Sequence, residues 1–209
     1  MPFLRSYLVT APLIVLATII LGTAALFVSF FEHSGRVQIR IARRWSRVLL
    51  LVSSVKVQLS GIERIVPTGS YVFASNHLSY MDTPVALANI PVEFRFLAKK
   101  GLFKIPFLGY HLARAGHIPV PREDPRAAVK TLSIAAQAVR DRGISLLIFP
   151  EGGRSKDGQL HEFKEGAAYI AIKAGVPIVP VALVGTQEVL PFGVGTVLPG
   201  KVGMRVGEP

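Results

Sequence analysis

"EDPRAAVKTLSIAAQAVRDRGISLLIFPEGGRS", residues 123–155, decides how the rest of the chain is read. Asp124 stands where a helix N-cap belongs, Pro125 fits the first helical position, and Gly143 falls just past the end. The apolar run "ISLLIF" (144–149) then reads as a buried strand, closed by the glycine turn at Gly152 and Gly153. Helix, strand and glycine turn make half of a crossover unit. The same grammar recurs on either side. "VKVQLSGIERI" alternates and turns at Gly61, "SYVFAS" is a short apolar strand, and "SYMDTPVALANI" is a helix that stops before Pro91. "FRFLAKKGLFKIPFLGYHLARAG" predicts a strand and then a helix near Pro106 to Ala115. "KEGAAYIAIKAG" predicts a helix ended by Gly175, and "VPIVPVALVG" another strand. Strands alternating with helices predict an α/β fold: a mostly parallel sheet flanked by helices on both faces. Sites in such sheets open at the carboxyl ends of strands.

The N-terminus has a different character. The 209-residue chain is 50% hydrophobic, with a mean hydropathy of +0.45, and the excess is concentrated at its start. No charged residue lies between Arg5 and Glu32. At about 1.5 Å per residue that run is long enough for a hydrocarbon core of about 30 Å. A secretory signal has a shorter apolar core, of about 7–15 residues. The run therefore reads as a membrane anchor, spanning or re-entrant, with Pro12 and Gly22 as points where it can bend. In "RVQIRIARRWSRVLLLVSS", Arg36, Arg40, Arg43, Arg44 and Arg47 recur at helical spacing. Val37, Ile41, Trp45, Val48 and Val52 mark a neighbouring face, which predicts an amphipathic helix with a basic flank and an interfacial tryptophan. Two regions follow: residues 1–54, a membrane-embedded segment with its basic helix, and 55–209, the α/β domain.

Net charge is +11, from 24 Lys and Arg against 13 Asp and Glu. Roughly half of that surplus lies beside the apolar run, where each cation near an anionic lipid surface contributes about 1 kcal/mol. Anionic lipid is the partner this charge fits. The chain carries no nucleic-acid-binding motif and no interleaving of cations with aromatics, so no nucleic acid partner is expected. Arginines beside the anchor favour the cytoplasmic side for residues 55–209. The absence of cysteine suits a reducing compartment and excludes thiol nucleophiles and thiolate metal ligands.

Two loops carry candidate chemistry. In "NHLSYMD" (76–82), Ser79 and Asp82 have the spacing of a capping box, and spacing alone favours that reading, with His77 a solvated loop residue. Position favours another. His77 leaves a strand end and Asp82 lies in the first helical turn, so the two can face each other, whereas inside one helix they would point about 140° apart. Paired with Asp82, His77 would act as a general base. In "FPEGGRS" (149–155), the turn at Gly152 and Gly153 with the Arg154 guanidinium suits a phosphate or carboxylate; the plain alternative is a polar loop with a surface pair of Glu151 and Arg154. Lys99, Lys100, Lys104 and Arg122 lie among apolar residues, a solvated cationic face or a headgroup dock. His33, His111, His117 and His161 lack metal-ligand spacing, and no metal is assigned.

In this order the stretches resemble the glycerolipid acyltransferase superfamily, in particular bacterial 1-acyl-sn-glycerol-3-phosphate acyltransferases. The family's Asn-His-x-Ser-x-x-Asp is "NHLSYMD". Its lysine block resembles "LAKKGLFKIPFLG", its Gly-x-Ile-x-Val-x-Arg-like block "GHIPVPR", and its Phe-Pro-Glu-Gly-Thr-Arg-Ser "FPEGGRS". "FKEGA" and "VPIVPVAL" follow. Four blocks in order, over about residues 55–185, make the likeness specific. It implies acyl transfer from acyl-CoA or acyl carrier protein to 1-acyl-sn-glycerol-3-phosphate, giving phosphatidic acid. His77 would be the base and Asp82 its orienting partner. Glu151, Gly152 and Arg154 would line the acceptor site, with Lys99 and Arg122 as further phosphate partners. The acyl thioester is a co-substrate and no other cofactor is implied; the expected location is the inner membrane. Gly153 departs from the usual threonine and Gly101 from a frequent acidic residue. The chain reaches Pro209 still reading as sheet, where family members usually continue, so a shortened chain is expected. Two other classes compete: a non-catalytic membrane-surface binding protein, and a metal-dependent phosphohydrolase using His77, Asp82 and Glu151.

Overall fold

A computed structural model describes residues 2–121 and 123–209. Seven strands form one sheet: β1 (Val55–Ser60), β2 (Val72–Ser75), β3 (Phe94–Lys99), β4 (Ile118–Val120), β5 (Ser145–Ile148), β6 (Ile178–Val184) and β7 (Gly200–Val206). Their order is β1-β7-β6-β2-β5-β3-β4. Every pairing is parallel except β6 with β7. Parallel neighbours require crossover connections, and the helices predicted from the sequence supply them.

The helix that anchors the reading, α6 (Pro125–Arg142), begins and ends on the predicted signals. Asp124 Oδ1 accepts the Ala127 N–H at 3.0 Å, and Gly143 takes φ +63° at the C-terminus, a conformation that favours glycine. Its buried side, Ala135, Ala136 and Val139, packs with α7 (Gly166–Ala174) on Val72, Leu146 and Ile148. On the opposite face, Phe73, Phe94, Leu147, Val179 and Leu183 meet α4 (Asp82–Asn89) and part of α3 (Arg36–Val52). Helices thus flank both faces of the central strands. Towards the other sheet edge one face stays open: Pro180, Ala182 and Val184 alternate outward along β6, beside Lys201 and Arg205 of β7.

The apolar N-terminus is one continuous helix: α1 (Pro2–Arg5), a π-helical stretch (Ser6–Thr10) and α2 (Ala11–Ser29). Phe3–Ser29 has a mean hydropathy of 2.4 and little burial, so it is long and apolar enough to cross a membrane. The basic helix α3 folds back along it, and Trp45 Nε1 donates to Thr18 Oγ1 at 2.9 Å. This alters the expected picture of α3. Trp45 bonds to the apolar helix, and a third side of α3 (Ile39, Ser46, Leu49 and Leu50) is buried. Arg43 also leaves the basic flank and turns inward to donate to the carbonyls of Ile90 and Val92. A buried guanidinium needs such acceptors. Arg36, Arg40, Arg44 and Arg47 stay exposed.

Two short elements escaped the sequence reading. β4 is only three residues long with Pro119 at its centre, and proline weakens a strand signal. α8 (Thr186–Val189) is a single turn. The predicted helix near Pro106 to Ala115 is α5 (Leu108–Arg114), preceded by a 3-10 turn (Lys100–Lys104). It joins the anchor: Ser29 Oγ lies 3.1 Å from Tyr110 Oη, and Arg114 donates to the Ser29 carbonyl.

Candidate active site

The two candidate loops leave adjacent parallel strands, β2 and β5, at their carboxyl ends. His77 Nδ1 lies 2.7 Å from Asp82 Oδ2. A carboxylate oxygen only accepts, so Nδ1 carries a proton, and in the neutral ring the lone pair falls on Nε2. The same Oδ2 also accepts the N–H groups of Leu78 at 2.7 Å and Ser79 at 2.8 Å. Asp82 is fully buried. One carboxylate oxygen therefore closes the turn before α4 and grips the imidazole, and it caps no N–H of the helix itself.

Ser79 corrects an expectation. The helix starts at Asp82, later than the predicted "SYMD" start, and Ser79 is not its N-cap. Its Oγ accepts the Met81 N–H at 3.1 Å and donates to the Leu190 carbonyl at 2.7 Å. That ties the turn to the loop after α8. Asn76 works similarly on the other side. Its amide donates to the Leu183 carbonyl at 2.8 Å and accepts the Leu183 N–H at 2.7 Å, extending the β2–β6 ladder past the last strand residue.

The second loop grips the first by its main chain. Glu151 Oε1 accepts the His77 N–H at 2.6 Å, and Ser155 N–H donates to the His77 carbonyl at 2.8 Å. The other Glu151 oxygen takes the His161 N–H at 3.2 Å. Both oxygens of Glu151 are thus engaged in holding backbone, a task the sequence reading did not give it. Gly152 takes φ +77°, and a Cβ there would fall 2.9 Å from Lys164 Nζ. Lys164, within the quoted "FKEGA", thus brings a further cation to the turn. Beyond it the loop is tied to itself. Asp157 Oδ1 accepts from Gln159 N–H, Ser155 Oγ and His161 Nε2, and the Gln159 and Ser155 bonds hold its carboxyl below the ordinary value.

Aromatic rings complete the site, and sequence spacing had not marked them. His77 stacks on Phe149 with centroids 3.9 Å apart. Arg154 places Cζ 3.5 Å from the Tyr80 ring centroid and 4.6 Å from that of Phe192. Lys99 ends β3 on the same sheet edge, exposed, with Nζ 3.9 Å from Glu123 Oε1. Arg122 lies outside the described residues. Among the described residues no three His, Asp or Glu side chains converge as a metal site would require.

Residues 56–184 match the sequence model of the family described as Acyltransferase. The chain belongs to that family. A chloroplastic 1-acyl-sn-glycerol-3-phosphate acyltransferase of Brassica napus is 38% identical over 154 residues, 73% of this chain and 44% of the relative. A 1-acyl-sn-glycerol-3-phosphate acyltransferase of Borreliella burgdorferi is 32% identical over 153 residues, 73% of this chain and 61% of the relative. Among solved structures, the 1-acyl-sn-glycerophosphate acyltransferase PlsC of Thermotoga maritima superimposes with a TM-score of 0.82 at 28% identity, covering all of this chain and 87% of that one. The chain spans about half the length of the plant relatives it matches. Both candidate loops fall inside the matched residues, as do strands β1 to β6 except for Val55.

Proposed function

We propose that the chain transfers an acyl group from a thioester, carried by coenzyme A or acyl carrier protein, to the free hydroxyl of 1-acyl-sn-glycerol-3-phosphate. The product is phosphatidic acid. One observation carries the reading: His77, held through Nδ1 by buried Asp82, is bonded at its backbone N–H and C=O to the loop that presents Arg154. The names of the relatives support the acceptor.

In the reaction, Nε2 of His77 takes the hydroxyl proton and the oxygen attacks the thioester carbonyl. The tetrahedral adduct collapses, the carbon–sulfur bond breaks, and the departing sulfur takes the proton from the imidazolium. An ester and a free thiol result. Asp82 stabilises the transient imidazolium and fixes the ring. General-base assistance of this kind contributes about 10²–10⁴-fold. Gly152, Arg154 and Lys99 face the acceptor phosphate, with Arg122 and Lys164 as further cations and Glu151 as the brace between the loops.

The same proposal sets the chain at the inner membrane with the catalytic domain on the cytoplasmic side. The helix Phe3–Ser29 supports it, as do exposed Arg36, Arg40, Arg44 and Arg47 beside it. So do the exposed apolar residues Leu102, Ile105, Phe107 and Leu108, among the lysines of the block packed on α2.

Because the chain has no cysteine, a thiol reagent reads only the thiol released from the donor. Purified enzyme given acyl-CoA or acyl carrier protein should release thiol only when lysophosphatidate is added, and chelator should leave the rate unchanged. Mass spectrometry over a panel of lysophosphatidate, glycerol 3-phosphate and neutral lysolipids names the product. Thiol release that does not depend on any acceptor would sink the reading, and so would chelator-sensitive phosphate release.

A further inference from the structure

We infer that Tyr80 and Phe192 form an aromatic clamp that positions the Arg154 guanidinium for a phosphate monoester while leaving its N–H donors unspent. The inference rests on the acceptor reading above, and it assigns that site two residues that no motif in the chain marked.

The evidence is how Arg154 is held. Arg154 is half-buried, a setting in which an arginine ordinarily finds a carboxylate or a row of carbonyls. Arg43 shows the ordinary case, with both contacts made through N–H groups to the Ile90 and Val92 carbonyls. Arg154 is different. Among the described residues none accepts a hydrogen bond from it and none forms an ion pair with it. Two rings present their faces to it instead, with Cζ 3.5 Å from the Tyr80 centroid and 4.6 Å from the Phe192 centroid. A ring face attracts the cation through its quadrupole and uses no N–H donor. A carboxylate partner would have fixed the side chain and also neutralised it and filled its donor fork. The rings fix it with charge and fork both intact. A planar fork suits the paired oxygens of a phosphate monoester, where an ammonium offers only a point charge.

The clamp is built into the catalytic turn. Tyr80 lies between His77 and Asp82 in "NHLSYMD". Phe192 follows Leu190, whose carbonyl is bound by Ser79 Oγ at 2.7 Å. One serine hydroxyl therefore sets the distance between the two ring-bearing segments. Lys156 Nζ, 6.0 Å from the Phe192 centroid, places a second cation beside the same ring. Tyr80 is 66% exposed on the surface, so replacing it does not open the core.

The test uses the full chain in detergent micelles. Steady-state kinetics vary lysophosphatidate at saturating acyl-CoA, and then the reverse, for wild type, Tyr80→Leu, Phe192→Leu and Tyr80→Phe. Equilibrium binding of lysophosphatidate is measured alongside. Each leucine variant should raise the acceptor KM about tenfold, equivalent to about 1.4 kcal/mol, and weaken binding in parallel. Donor KM, kcat and melting temperature should stay near wild type, and Tyr80→Phe, which keeps the ring face, should retain the wild-type acceptor KM. An acceptor KM within twofold of wild type in both leucine variants would overturn the clamp. So would equal damage to donor KM, acceptor KM and kcat, with Tyr80→Phe as impaired as Tyr80→Leu, because that pattern marks a purely structural role. If wild type binds lysophosphatidate but transfers nothing to it, the proposed reaction fails, and the binding series alone still decides the clamp.

Discussion

His77 and His117 stand at opposite ends of one row of rings, and the protein treats them in opposite ways. His77 stacks on Phe149 at 3.9 Å, Phe149 stacks on Phe96 at 6.2 Å, and Phe96 meets His117 at 5.4 Å. At one end a carboxylate, Asp82, accepts from the imidazole and welcomes a positive charge on it. At the other, His117 Nδ1 accepts the Phe96 N–H at 3.0 Å. Burial and the Arg95 guanidinium push its pKa down to about 3. One imidazole donates through Nδ1 to a buried carboxylate, the arrangement the proposed reaction would use. The other is kept neutral as a backbone acceptor. Residue type decides neither role; the polarity of the partner does.

Substitutions can break this contrast or sharpen it. The largest expected effect is at the Asp82-bound end: His77→Ala should lower kcat by about 10²–10⁴-fold while circular dichroism stays native. Turnover near wild type would remove His77 as the base. Asp82→Asn comes next. Its buried amide must point N–H groups either at three existing donors or into the space beside Oδ1, which has no partner among the described residues. It should cost about 1–3 kcal/mol of stability, measured by urea titration, and lower kcat by about 10²-fold. His117→Gln should leave kcat intact and alter pH dependence instead. The unfolded chain protonates this histidine near its ordinary value of 6.5, and the folded chain only near 3. Between those values the unfolded state binds the extra proton. The contribution to stability is therefore full above pH 6.5 and is lost as pH falls towards 3, by at most about 1.4 kcal/mol per pH unit. Unfolding free energies measured across that window should lose this slope in His117→Gln. An unchanged slope would mean that other groups carry it. The smallest effect is expected from Phe96→Leu, which interrupts the row and should cost about 1 kcal/mol in a thermal melt. If it lowered kcat more than Asp82→Asn, the two histidines would be coupled through the rings.

Local grammar was readable and distant contact was not. Asp124, Pro125 and Gly143 bounded α6 because caps act within a few residues. His77 and Asp82 were readable as a possible pair because one turn joins them, though the spacing of Ser79 and Asp82 alone favoured a capping box, which the structure does not form. The contacts that escaped join residues far apart in sequence: Ser79 with Leu190, Asn76 with Leu183, Arg154 with Phe192. No period or spacing encodes them. The basic helix shows the same limit. Five arginines at helical spacing looked alike, and only packing separates inward Arg43 from exposed Arg36, Arg40, Arg44 and Arg47.

The double grip on the His77 peptide has a mechanical consequence. Glu151 holds the amide on one side of this residue and Ser155 holds the carbonyl on the other. The segment that carries His77 and the segment that carries Arg154 therefore cannot slide past each other unless these bonds break. The span from Arg154 to His77 is then a fixed gauge; under the proposed function, an alcohol would be selected by how far its hydroxyl stands from its phosphate as well as by the charge it brings.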